Sequence, residues 1–377
     1  MKISKIIFSV CLAYWILGCA PEITSYQLSG TIDKIEEDSS VVVLAYYNPI
    51  TQKSTPLDTV RVDDSGKYHL TYEWSRPDLY RLSFPGRQSV ILAIDGGQKN
   101  VVVNVEGKRN GLVEIQGSTD SEKLIGYDLF RSESKKRLID PPYAKMREAR
   151  KVGNIEKEVE AVMEYATNSK LHRKELLDYT EEKIGSSIAL YGTALRWTGD
   201  DEVERLDQLV SAFENLHPGL EMTVQMREKV ERFRKVAVGV KAPAMNGKNE
   251  KGDVISLVES LGEYTLLDFW ASWCGPCISQ IPDLKEAYAS FHDQGFEIIS
   301  VSVDREEEKW LNSIEKLALH WKHISDVKGW QSELAKDYNV TFIPFNFLLD
   351  SEGVIIHKNL HSKSLQTTLG DLFSSVN

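Results

Sequence analysis

Cysteine is scarce in this chain. Four occur in 377 residues: Cys11, Cys19, Cys274 and Cys277. A web of structural disulfides is therefore excluded, and the fold must rest on packed cores, which this length can supply in two or three domains. Positive charge is in deficit, with 45 Lys and Arg against 56 Asp and Glu and a net charge of −11. That balance argues against nucleic acid as a partner. The apolar run from Ile6 to Leu17 is about a dozen residues, short of the roughly 20 a spanning helix needs. Zinc ligands are also lacking. No second Cys-x-x-Cys and no histidine pair stands at a usual spacing from Cys274 and Cys277, so two of the four expected ligands are missing. His320 with His323, and His357 with His361, have no carboxylate or thiolate set beside them. No metal is expected.

What is present centres on Leu266-Leu267-Asp268-Phe269-Trp270-Ala271-Ser272-Trp273-Cys274-Gly275-Pro276-Cys277. The apolar run reads as a buried strand and the residues after it as a helix. Cys274 then sits at a helix N-terminus, where free backbone N–H groups and the helix dipole favour the thiolate. Cys277 is one turn on, close enough to form a disulfide with it. Two thiols that open and close are a two-electron redox centre. Asp268, ending an apolar strand, should be held above its ordinary pKa by burial and is a candidate general base for Cys277.

The string from Asp268 to Cys277 closely resembles the active site of thioredoxin, and the resemblance runs from about Val240 to the C-terminus. It is greatest to the TlpA/ResA-like branch of extracytoplasmic, membrane-tethered thioredoxins. The resemblance implies an α/β thioredoxin fold and thiol-disulfide oxidoreductase activity without a cofactor. It implies that Cys274 attacks, that Cys277 resolves and that Asp268 moves the proton of Cys277. Trp273, Gly275, Pro276, Ile343 and Pro344 would meet the substrate. Pro344 matches the cis-proline of the family, beside which the backbone of Ile343 would pair with an extended substrate segment. One departure stands out. Many members of the branch carry Glu three residues after the second cysteine, and here that place holds Gln280, which does not titrate.

The start of the chain has Lys2 and Lys5 before the apolar run, as in a signal peptide. Ile16-Leu17-Gly18-Cys19 resembles a bacterial lipobox. That resemblance implies a signal peptide over 1–18, acylation of Cys19, a tether over 19–25 and a periplasm-facing lipoprotein. Ala20 after the cysteine favours the outer membrane over the inner.

From 26 to 117, short β-branched runs separated by turn signals read as an all-β sandwich. Expected strands include Tyr26–Ile32, Val41–Tyr47, Val60–Val62 and Lys67–Tyr72, with a hairpin turn at Asp63–Gly66. The layout resembles the β-domain of unknown function that precedes thioredoxin domains in many such lipoproteins. From 118 to 238 the pattern turns helical and densely charged. Ser118 and Asn154 look like N-caps, and Pro141-Pro142 like a break. The charges alternate in sign, as on solvated helix faces, and an apolar stripe there leaves a homodimer open. The thioredoxin-like part fills 239–377.

The leading function is reduction of disulfides in protein substrates, recharged by a membrane thiol donor. Gly-Pro between the cysteines resembles reducing thioredoxins, whereas strong oxidants of the superfamily tend to carry Pro-His. The alternatives are a disulfide-forming oxidant or isomerase, a thiol peroxidase, and a binding lipoprotein with an idle Cys-x-x-Cys. Peroxiredoxins need a Thr where this chain has Ala271.

Overall fold

Runs rich in β-branched residues, all but β3 with one buried face, build eight strands among the described residues: β1 (Ser25–Thr31), β2 (Val41–Asn48), β3 (Lys53–Arg61), β4 (Lys67–Glu73), β5 (Asp78–Ser83), β6 (Ser89–Ile94), β7 (Asn100–Val105) and β8 (Val113–Gln116). The computed structural model describes residues 25–34, 41–73, 77–198 and 202–375. Cys11, Cys19 and the expected signal segment lie outside them. The strands form two sheets, ordered β4-β1-β7-β8 and β3-β2-β5-β6. Leu28, Leu70 and Val103 from one and Val42, Leu44 and Leu82 from the other share a core, so the region is a sandwich.

Two details differ from expectation. β3 extends back to Lys53 and lies almost wholly exposed at a sheet edge, with Pro56 inside it and a bulge opposite Leu44 and Ala45. An edge strand needs no apolar alternation and tolerates a proline, which is why its pattern is hidden in sequence. The Asp63–Gly66 turn is present, with Asp63 Oδ1 accepting from the N–H of Ser65 and Lys67 at 2.9 Å each. It does not close a hairpin, because β3 and β4 belong to different sheets and the turn carries the chain between them.

Six α-helices follow among the described residues: α1 (Thr119–Leu138), α2 (Asp140–Lys151), α3 (Ile155–Tyr179), α4 (Ala189–Thr193), α5 (Val203–Leu216) and α6 (Glu221–Arg234). Ser118 caps α1 and Asn154 caps α3, each accepting from a backbone N–H three residues on. Pro141 and Pro142 fall in the first turn of α2, where a missing N–H costs nothing, so they start a helix as well as end one. These helices share a core with the sandwich through Tyr47, Leu79 and Ala93, and Tyr191 and Trp197 are buried in it. None of the helices among the described residues is long and apolar enough to cross a membrane.

The last part contains β9 (Asn246–Lys248), β10 (Val254–Ser256), β11 (Tyr264–Trp270), α7 (Gly275–Phe291), β12 (Phe296–Ser302), α8 (Glu307–Lys316), β13 (Lys322–Ser325), α9 (Glu333–Asp337), β14 (Phe345–Asp350), β15 (Ile355–Lys358) and α10 (Lys363–Ser375). One mixed sheet runs β10-β9-β13-β12-β11-β14-β15. β11, β12 and β13 are parallel, and β14 returns antiparallel beside β11. This is the thioredoxin-like α/β arrangement, with its own apolar core. The hairpin of β9 and β10 turns on Gly252, whose φ of 86° suits glycine. β13 is four residues long, too short to announce itself by alternation.

Candidate functional site

β11 is buried along nearly its whole length and delivers the chain to a short loop, Ala271 to Trp273. Cys274 then takes the N-cap position of α7, with φ −85° and ψ 94°, and its Sγ accepts from the Cys277 N–H at 3.2 Å. Pro276 falls in the first helical turn, where no N–H donor is needed. Cys274 and Cys277 are joined by a disulfide of 2.03 Å, with Cα atoms 5.2 Å apart. Both sulfurs belong to buried residues, while Trp273 beside them is 57 % exposed. When the disulfide opens, a charge on Cys274 lies against the positive end of α7.

Asp268 sits on the strand that feeds this loop and is 4 % exposed. Burial pushes its pKa up to about 7, opposed in part by a hydrogen bond from Ser300. Ser300 Oγ accepts from Trp321 Nε1 at 2.9 Å, which leaves its own proton for Asp268. Strand register sets Asn346, Asp268, Ser300 and His323 in one row across four strands. His323 is also buried, and desolvation lowers its pKa to about 4, so it is neutral near pH 7.

The Ile343–Pro344 peptide is cis. Phe345, the next residue, pairs with Phe269. Pro344 therefore lies at the end of the sheet where β11 gives way to the loop of Cys274. Gly275 is exposed and Pro276 and Ile343 are half-buried. Ala271, at the place where peroxiredoxins need Thr, is buried and carries no hydroxyl.

Three features were missed in sequence. Asp304, two residues beyond β12, is buried and accepts from the Ser272 N–H at 2.9 Å, Ser272 Oγ at 2.7 Å and Ser302 Oγ at 2.8 Å. It anchors the loop two residues before Cys274. Its backbone carbonyl also accepts from Gly329 N–H at 3.1 Å. That contact fixes the turn bearing Trp330, whose ring meets Trp273 edge-on at 6.5 Å. Trp330 and Phe342 are 40 % and 48 % exposed. Asp304 was findable, since Val301-Ser302-Val303-Asp304 repeats the pattern of a carboxylate ending an apolar strand. Trp330 and Phe342 are isolated loop aromatics without such a signal. Gln280, at the place of the branch's Glu, is buried and meets His361 Nδ1 through its Oε1 at 3.1 Å. Among the described residues no group of three or more His, Cys, Asp or Glu side chains could hold a metal ion.

Residues 238–358 match the model of the AhpC/TSA family. The thiol-disulfide oxidoreductase ResA of Bacillus thuringiensis subsp. konkukian is 30 % identical over 124 residues, covering 33 % of this chain and 70 % of that protein. ResA of Geobacillus kaustophilus is 32 % identical over 120 residues, covering 32 % of this chain and 67 % of its own. Among solved structures, the thioredoxin domain of a Bacteroides vulgatus thiol-disulfide oxidoreductase is 35 % identical. It covers 36 % of this chain and 98 % of its own, with a TM-score of 0.35. With a Cys-Gly-Pro-Cys disulfide at the head of a helix on a thioredoxin-like sheet, the chain belongs to the ResA-like thiol-disulfide oxidoreductases of the thioredoxin superfamily.

Proposed function

We propose that this oxidoreductase reduces disulfides of protein substrates outside the cytoplasm, tethered to a membrane through a lipidated Cys19. The observation that carries the reading is the Cys274–Cys277 disulfide at the N-terminus of α7, just beyond the strand that holds the buried Asp268, whose pKa of about 7 lets it both take and return a proton near neutral pH. The Cys274 thiolate attacks one sulfur of a substrate disulfide, and the other leaves as a thiolate that takes a proton. A mixed disulfide joins enzyme and substrate. Asp268, as carboxylate, takes the proton of Cys277, whose thiolate attacks Cys274 Sγ and frees the second substrate sulfur. The substrate gains two electrons and the enzyme is left oxidised. A membrane thiol donor returns it to the dithiol. Trp273, Gly275, Pro276 and the backbone of Ile343 beside Pro344 bind the extended substrate segment.

Gly-Pro between the cysteines supports reduction over oxidation, and the lipobox-like Ile16–Cys19 supports the tether with a lean to the outer membrane. The test is a trap. A Cys277→Ser variant incubated with a disulfide-bonded protein should accumulate a mixed disulfide mapped to Cys274, and Cys274→Ser should accumulate none. A Cys277→Ser enzyme that forms no adduct contradicts the roles assigned. Labelling with radioactive palmitate in a bacterial host tests Cys19, and label surviving in Cys19→Ser contradicts lipidation there.

A further inference from the structure

The helical segment reaches the redox site. α3 packs against α7, and Glu158 Oε1 lies 3.9 Å from where a Cβ on Gly275 would stand. Gly275 directly follows Cys274. Arg150 Nε donates to the same Oε1 at 2.6 Å, and its Nη2 turns to Met146 Sδ at 3.6 Å. The pair is held by the corner between α2 and α3, where Gly153 adopts a φ of 67° and Asn154 starts α3. Glu158 is only 16 % exposed. Most charges of this segment lie in solvent, but this one is folded onto the first turn of the active-site helix.

We propose that the Arg150–Glu158 ion pair is a positioning element of the redox site, by which the helical segment sets how readily Cys274 carries its negative charge. The two halves act with opposite sign. A carboxylate beside the first turn of α7 repels a thiolate there, and the guanidinium that grips the carboxylate offsets the repulsion. Burial of the carboxylate reduces screening by water and salt. The pair comes from outside the thioredoxin-like part, so it is a device of this multidomain architecture. Other charged or titratable groups on the elements around the site include Asp268 on β11, Asp304 behind Ser272, Arg305 against Gly329, Asp283 on α7 and His361 against Gln280. None of them is altered in the variants below.

The inference rests on Cys274 being the attacking thiolate. It is tested in the reduced full-length protein by the pH dependence of Cys274 alkylation with iodoacetamide, the adduct being located by mass spectrometry. Glu158→Gln should lower the midpoint by roughly half a unit to one unit, and Arg150→Gln should raise it by a smaller amount, because the Arg150 side chain is 46 % exposed and more screened. Arg150→Lys, which keeps the charge, should stay near the wild-type midpoint. The reduction potential should follow, less negative in Glu158→Gln and more negative in Arg150→Gln, because a more stable thiolate favours the reduced form. A merely structural pair would move both variants in one direction, or neither, and either result overturns the inference while a normal wild-type profile leaves the function standing. A wild-type Cys274 with no reactive thiolate would bring down the function and this inference together.

Discussion

Gln88 and Asp268 are each 4 % exposed, one in the β-sandwich and the other in the thioredoxin-like sheet, and their surroundings are opposite. Gln88 Nε2 donates to the carbonyls of Gly111 and Leu112 at 2.9 and 3.1 Å, and its Oε1 accepts from the Gly107 N–H at 2.7 Å. Both of its donors and its carbonyl oxygen go into closing a loop. Asp268 is opposed in its burial by the Ser300 hydroxyl alone, and it keeps a proton near neutral pH as a result. A buried polar group that is well partnered stabilises the fold, whereas one left short of partners is costly and becomes chemically useful. The sandwich therefore reads as scaffold, and the thioredoxin-like sheet carries the chemistry.

Substituting Asp268 should sharpen this contrast most. Asp268 binds its proton up to about pH 7 in the folded protein but only up to about 3.9 in the unfolded chain. Between those values the folded state holds more protons, so stability falls as pH rises and levels off above about 7. Asp268→Asn lacks this dependence. Its gain over wild type should be absent near pH 3 and reach on the order of 4 kcal/mol by about pH 8 in urea titrations. The same variant should slow release of the mixed disulfide by roughly a hundredfold, and the wild-type rate of that step should rise with pH through about 7. Stability without a pH-dependent difference would break the comparison on the Asp268 side.

Gln88→Leu should do the reverse. It removes the partner of the Gly107 N–H and of the Gly111 carbonyl, while the Leu112 carbonyl keeps the Glu106 N–H, at a cost on the order of 2 kcal/mol, read as a lower urea midpoint with an unchanged reduction potential. A changed potential would show that the sandwich is more than scaffold. Ser272→Ala removes one charge-assisted hydrogen bond to Asp304. It should cost about 2 kcal/mol and lower kcat by loosening the loop before Cys274. The smallest effect is expected for Trp330→Ala, a few-fold rise in KM for a protein substrate with kcat kept, from loss of its edge contact with Trp273.

Much of this architecture was legible because its signals are local. The Cys-Gly-Pro-Cys string, the caps at Ser118 and Asn154, and the break at Pro141-Pro142 depend on neighbours a few residues away, although in sequence the prolines mark only a break and not the opening of α2. β3 was hidden because an exposed edge strand has no buried face to imprint a pattern. The Asp63–Gly66 turn was visible, but which strands it joins is a matter of sheet pairing that no turn residue encodes. Within the site, Asp268 stood out as a charge in an apolar run, and Asp304 had the same mark. Glu158 had none. In a segment dense with alternating charge, only the packing of α3 on α7 distinguishes it from its solvated neighbours.

The central claim is that the Cys274–Cys277 couple serves as a reductant, and its reduction potential tests that most directly. Equilibration of the full-length protein with a defined thiol buffer, read by alkylation, should give a value near the roughly −270 mV of thioredoxin. A value near the roughly −120 mV of a strong oxidant would contradict it and make the protein a catalyst of disulfide formation.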